Sequence, residues 1–336
     1  MPSVTAREVP CRYRGHVSEP TSTARRSRLI RIGAACAVLL ALAGYLIVQF
    51  TGRGPGAPHC RVTGQGKDGG TYRMEPEQAV NAATIEAVGS SRRLPERAIT
   101  IALATAMQES GLRNIDYGDR DSVGLFQQRP SQGWGDARQI QDPVYAAGKF
   151  YDHLVKVDGY ASLPLTEAAQ RVQRSGYPRA YAKHEPDAAL LSSALTGRAA
   201  GAFTCTTAAE ATRPGNPARV RAELVREFGE GVLPGAEGTA AERAGGSGRA
   251  TSRAGTDPVI AVPVGATVAG GGPGRRGWEL AHWAVAHASE LRIAQVSYAG
   301  RVWTARESGK GWHAMGENSA AEKSRSENKV LIRTAQ

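Results

Sequence analysis

Residues 96–111 read ERAITIALATAMQESG. From Glu96 to Met107 apolar side chains fall on almost every side of a 3.6-residue period, and a helix with no face left for water must be packed by others all round. Gly111 stands where such a helix would stop. The flanking sequence extends the pattern. Pro76 and Pro95 suit first-turn positions, and Asp142-Pro143 reads as an N-cap followed by a first-turn proline. Gly176 and Gly197 follow periodic runs, and Val144, Tyr145, Phe150, Tyr151, Leu154 and Val155 recur with a helix period. Strand signals are nearly absent from Glu75 to about Thr196. These features predict a mainly α domain over residues 75–206, built around the apolar helix.

Upstream the chemistry differs. Residues 51–74 are Gly-rich and read as a linker. Before them, residues 32–48 (IGAACAVLLALAGYLIV) carry no charge, and the uncharged stretch to Phe50 is close to the length of a roughly 30 Å hydrocarbon core. Arg25, Arg26, Arg28 and Arg31 precede it and Arg53 follows, as the positive-inside rule expects for a cytoplasmic N-terminus. The expectation is a single-pass anchor over 32–50 after a basic cytoplasmic tail, 1–31. Ala41-Leu42-Ala43 leaves a cleaved signal peptide open as the rival reading. In both, residues from about 52 onward lie outside the cytoplasm.

The net charge of +11 sharpens this topology. Residues 1–31 carry +5, residues 52–206 only +2, and residues 207–336 carry +4. Nearly half the excess sits beside the span, which argues against a basic nucleic-acid-binding domain; aromatic residues, 6% of the chain, offer few stacking platforms for single strands. Of four cysteines, Cys11 falls in the tail and Cys36 in the span. Cys60 and Cys205 bracket the helical domain, and in an oxidising compartment that pair is expected to be bridged. Closing a loop of about 145 residues would contribute roughly 5 kcal/mol in the chain-entropy account.

After Cys205 one helix is expected from Pro217 to Phe228, inside a Gly-rich stretch covering 207–277. Residues 278–314 then read as a small α+β module: helical spacing over Trp278–Leu291, and two short strands about Ala299-Gly300 in Gln295–Thr304. Residues 315–336 are polar and read as a disordered tail.

Glu109 is the residue with chemical promise. It lies at the C-terminal end of the most apolar helix, where desolvation and the negative end of the helix dipole both raise its pKa. A carboxyl partly protonated near neutral pH can protonate a leaving-group oxygen, as glycosidic cleavage needs. Three motifs stand in order: Met107-Gln108-Glu109-Ser110-Gly111, Gly124-Leu125-Phe126-Gln127-Gln128, and YPRAY at 177–181. Together they resemble the lysozyme-like lytic transglycosylase superfamily over about residues 75–200, and the run DRDSVGLFQQRPSQGWG is similar to that of actinobacterial membrane-anchored cell-wall proteins. Phe126 replaces the family's usual Met, and Ala182 its Asn.

The resemblance implies that Glu109 is the catalytic acid and then base, that Ser110 and the amides of Gln127 and Gln128 hold the substrate, and that Tyr181 orients Glu109 or the sugar. Trp134, between Gly133 and Gly135, reads either as a stacking surface for a pyranose or as a core plug. Asp116, Asp119 and Asp121 form an acidic loop. A second carboxylate about 5 Å away would serve a retaining mechanism and one roughly 6.5–9.5 Å away an inverting one, while transglycosylases of the family use neither; muramidase and transglycosylase stay open. The implied partner is the glycan strand of peptidoglycan, with no cofactor.

Residues 276–312 resemble a degenerate form of a module related to zinc-dependent D-Ala-D-Ala carboxypeptidases. His282 and His287 are five residues apart, not the four that share a helix face, and residues 244–263 contain no His. No metal is expected. The function read from the sequence is therefore a membrane-anchored enzyme cleaving peptidoglycan glycan strands; the alternative is a wall-binding or assembly protein that kept the fold without turnover.

Overall fold

The computed structural model describes residues 22–51, 57–64, 69–174, 179–207, 214–233, 259–265, 272–316 and 319–336. The chain divides into two units, Met1–Ala57 and Pro58–Gln336. In the first, helix α1 (Ser22–Thr51) runs for 30 residues. Its described side chains are those of residues 30–44, among them Ile32, Val38, Leu39, Leu40 and Leu42, all exposed. Among the described residues no helix is long and apolar enough to cross a membrane; of the expected span over 32–50, side chains 45–50 lie outside the described set.

The second unit opens with strands β1 (Cys60–Thr63) and β2 (Thr71–Met74), then helices α2 (Pro76–Ser91) and α3 (Glu96–Ser110). There follow α4 (Ala137–Ile140), α5 (Pro143–Leu154), α6 (Leu165–Gln173), α7 (Glu185–Leu195), strand β3 (Phe203–Cys205) and α8 (Pro217–Phe228). The rest is β4 (Val259–Pro263), α9 (Pro273–Ala286), α10 (Ala288–Leu291), β5 (Ile293–Tyr298), β6 (Arg301–Thr304), β7 (His313–Ala314), α11 (Ala320–Arg325) and β8 (Lys329–Thr334). The fold is thus mainly α, with small sheets.

Helix α3 is the centre, as its composition predicts. Every residue from Ala98 to Met107 is buried, against α2, α5, α6 and α7. Each large side chain so buried contributes about 1.5–3 kcal/mol. The two threonines in this run are satisfied without water: Thr105 Oγ1 donates to Ile101 O at 2.7 Å, and Thr100 Oγ1 lies 2.8 Å from Ser192 Oγ. Gly111 ends the helix at φ 63°. Asp142 caps α5 by accepting from Val144 N at 2.9 Å.

Three expectations change outside the helical region, the first in the Gly-rich stretch 207–277, which carries strand β4 besides the expected helix α8. The supposed linker 51–74 contains β1 and β2, which pair with β3 in the order β2-β1-β3, all antiparallel. Cys60 lies opposite Cys205 in that ladder and the two are disulfide-bonded. Four-residue strands in Gly-rich sequence are held by partners and by the bridge, so local composition does not announce them. The polar segment 315–336 is also not a bare tail. It carries α11 and β8, and β8 lies inside the second sheet, ordered β4-β8-β5-β6-β7. The apolar trio Val330, Leu331 and Ile332 is buried there.

The hairpin at Ala299-Gly300 forms as expected, with Tyr298 opposite Arg301 and both turn residues at positive φ. The helix expected over Trp278–Leu291 starts earlier, at Pro273, and breaks at His287 into α9 and α10.

Helix α9 joins the parts of the unit. It packs on α2, α7 and β3 of the helical part and on β5 and β8 of the second sheet, and Arg276 through Ala286 are all buried. At Gly197 (φ 72°) an added Cβ would run into Arg275 O, so a side chain there would block the approach of α9. Buried polar contacts fix the seam. Glu227 of α8 accepts from Trp283 Nε1 at 2.8 Å and from Thr84 Oγ1 of α2 at 3.1 Å, and His287 Nε2 lies 3.2 Å from it. Glu86 of α2 is held beside Glu279 of α9, whose carboxylate lies 2.9 Å from Arg276. Burial, more than the neighbouring carboxyl, raises the Glu86 pKa well above its ordinary value. The edge strand β3 is covered by indoles: Trp312 Nε1 donates to Phe203 O at 2.9 Å and Trp303 Nε1 to Cys205 O at 3.2 Å.

Candidate functional site

Glu109 is in the last turn of α3, where the buried helix emerges. Its carboxyl is half-buried, on the wall of a cleft of about 950 Å³. Tyr181 Oη donates to Glu109 Oε1 at 2.6 Å, and Gln173, at the end of α6, supplies a second hydrogen bond. Burial raises the pKa of Glu109; the two donors favour the anion and offset only part of that rise. The group is therefore a carboxyl with an elevated pKa, fixed in orientation and open to the cleft on one side.

The loop 122–129 forms the facing wall. It is pinned by a bridge between Val123 and Gln128, and by Gly124 at φ 78°, where an added Cβ would meet Ile140 O. Gln127 (φ 46°) and Gln128 both line the cleft. Their backbone amides are used within the turn, donating to Gly124 O at 3.3 Å and Val123 O at 3.1 Å. Gln128 Nε2 donates to Ala146 O at 3.0 Å, and its buried Oε1 has no hydrogen-bond partner. Gln173 Nε2 donates to Phe126 O at 2.7 Å, so one amide ties the loop to the Glu109 carboxyl.

Of the residues singled out in the sequence, Glu109, Gln127, Gln128 and Trp134 share the cleft. Ser110 does not line it: its Oγ donates to Leu125 O at 2.8 Å, fastening the end of α3 to the facing loop. Tyr181 is buried behind Glu109 rather than in the cleft; Tyr177 and Pro178 of the same motif lie outside the described residues. Trp134 is partly buried against the core and packs on His153, with ring centroids 4.2 Å apart. It is both a packing residue and part of the cleft wall.

Asp121 is bound within its own loop. It accepts from Arg129 Nε at 2.7 Å and from Ser131 N at 2.8 Å, and these donors hold its carboxyl well below the usual range. Such a group is a loop staple, not a proton donor. Asp119 is an exposed residue on the rim.

Sequence reasoning missed Gln173 and His153. Gln173 stands 64 residues after Glu109, in a segment with no motif; only the amphipathic run LTEAAQRVQ could have suggested a helix ending there. His282, His287 and His313 do not gather into a site. The first two are buried in packing, His282 with Nδ1 2.7 Å from Ala194 O.

The family described as VldE, C-terminal domain matches residues 216–325. The matched segment runs from the start of α8 to the end of α11, and Glu109 and the cleft lie outside it. No curated protein matches the chain.

Proposed function

We propose that the chain is a membrane-anchored enzyme that cleaves the glycan strand of peptidoglycan, as a lytic transglycosylase or a muramidase, with Glu109 as general acid and then base. The observation that carries this reading is the carboxyl itself. It emerges from an apolar helix, its pKa is raised, two donors orient it, and it lines a cleft of about 950 Å³. In the first step it would protonate the glycosidic oxygen as the C–O bond breaks. The resulting carboxylate would then take a proton from the incoming hydroxyl, from water in a muramidase or from the sugar's own O6 in a transglycosylase. Tyr181 and Gln173 stabilise the anion between the two steps. The uncharged run in α1 serves in this reading as a single-pass anchor with a cytoplasmic N-terminus, placing the cleft on the wall side.

The test is mass spectrometry of material released from cell walls by the detergent-solubilised full chain. Wild type should release muropeptides, and Glu109→Gln should lose about 10²–10⁴ in rate. Equal release by both proteins sinks the assignment. A product lighter by one water identifies the transglycosylase form.

A further inference from the structure

The cleft has a charge pattern that a glycosidase acid does not require. The end of α5 sets His153 against Trp134, and the following turn brings Lys156 to the same wall. Arg174 reaches the cleft from the C-cap of α6 at φ 51°, a left-handed seat that α3 fills with glycine. Other cations on these walls are matched: Arg129 to Asp121 at 2.7 Å, Arg171 to Glu167 at 2.5 Å, and Arg120 beside Asp119 at 3.9 Å. Among the described residues neither Lys156 nor Arg174 has an acidic partner. Against them stand the exposed Asp158 and Glu109 itself, whose burial favours its neutral form. The pKa of His153 is lowered first by burial and then by Lys156, Lys149 and Arg174, with Asp152 opposing.

We propose that the cleft selects glycan strands bearing a negative charge, a carboxylate or a phosphate, next to the sugar that lies at Trp134, and that Lys156 and Arg174 meet that charge. This rests on the reading of the cleft as a glycan site and narrows its substrate. An indole supplies apolar surface for a pyranose face, and two cations beside it turn a generic saccharide groove into one that discriminates by charge.

The experiment uses the full chain carrying Glu109→Gln, so that ligands survive. Three probes are compared: a neutral N-acetylglucosamine hexamer, an N-acetylglucosamine–N-acetylmuramic acid tetrasaccharide with free lactyl carboxylates, and the same tetrasaccharide amidated at the lactyl groups and phosphorylated on muramic acid. At low salt at least one charged probe should bind about fivefold to tenfold more tightly than the neutral one. The preference should vanish at 1 M salt, where the Debye length is about 3 Å. It should also fall in Lys156→Gln and in Arg174→Gln, two exposed positions whose folding is checked by thermal melts. The two charged probes tell carboxylate from phosphate. Equal affinity for all three at low salt overturns the proposal, as does a preference that survives both substitutions. Cleavage assays with the wild type separate the two claims: charge preference without any product refutes the enzyme assignment alone, and product formation with no charge preference refutes this inference alone.

Discussion

Replacing both Cys60 and Cys205 by Ser isolates what the disulfide does. The two residues are 145 apart in the sequence and opposite each other in the β1–β3 ladder. Strand contacts around the bridge do not depend on sulfur: Thr206 N donates to His59 O at 2.7 Å and Thr63 N to Ala202 O at 3.0 Å. The native state should therefore keep its shape, and the loss should come from the freed unfolded chain. Closing a loop of that length is worth about 5 kcal/mol in the chain-entropy account, with measured values for native bridges at roughly 2–5 kcal/mol. For a folded unit of about 280 residues, unfolding entropy near 2.1 cal/mol/K per residue puts the fall in Tm at roughly 4–8 °C. The assay is a reversible thermal melt of the wild type with and without reductant, beside the double variant. Reduced wild type and the variant should melt together, below the oxidised protein by that interval. A shift under about 2 °C would show the bridge to be idle, and a variant that loses near-ultraviolet circular dichroism at 20 °C would show it to be a component of the native packing; either outcome overturns the entropic account.

Glu86→Gln addresses the buried carboxyl pair. The folded pKa of Glu86 lies above its ordinary 4.5, so the folded state retains a proton that the unfolded chain releases; its contribution is complete below that ordinary value and is lost as pH rises through the folded one. Denaturant midpoints of the wild type should therefore fall from pH 5 to pH 7.5, whereas the variant should show a flatter profile and be the more stable at pH 7.5; identical profiles would show that the pair is not titrating. Tyr181→Phe removes the 2.6 Å donor to Glu109, an interaction with a charged group worth about 1.5–3 kcal/mol. The alkaline limb of the activity profile should move to higher pH, since the acid stays protonated longer; a lower rate with an unmoved limb would make Tyr181 a packing residue only.

The parts of the fold that were legible are those written in local sequence. Helix α3 declares itself because its apolar residues run all round and Gly111 closes it; Asp142-Pro143 and Ala299-Gly300 specify an N-cap and a tight turn through their own backbone preferences. At the site, Glu109, Gln127, Gln128 and Trp134 all line one cleft. What was not legible depends on distant partners. Strand β8 is a strand because β4 and β5 lie on either side of it, and nothing in KVLIRT names those neighbours. The family resemblance implied Ser110 as a substrate ligand, whereas its hydroxyl donates to Leu125 O, a partner fifteen residues on. Gln173 reaches Glu109 only because α6 packs on α3.

The described residues after 213 also act as distant partners of the helical domain. Remove them and Thr84 and Glu86 on α2 face solvent or a void, and the carbonyls of Phe203 and Cys205 lose the indoles that cover them. A buried polar group stripped of its partner costs about 1–3 kcal/mol, and a domain's net stability is only about 5–15 kcal/mol. Losing several such partners together with the apolar burial along α9 would consume most of that margin. Helix α2 packs on α3, so disorder in α2 would reach the helix that presents Glu109. Burial is the main cause of the raised pKa of Glu109, so truncation before residue 214 is expected to lower that pKa as well as the stability, and an unchanged pH profile in a truncated chain that still folds would separate the two regions.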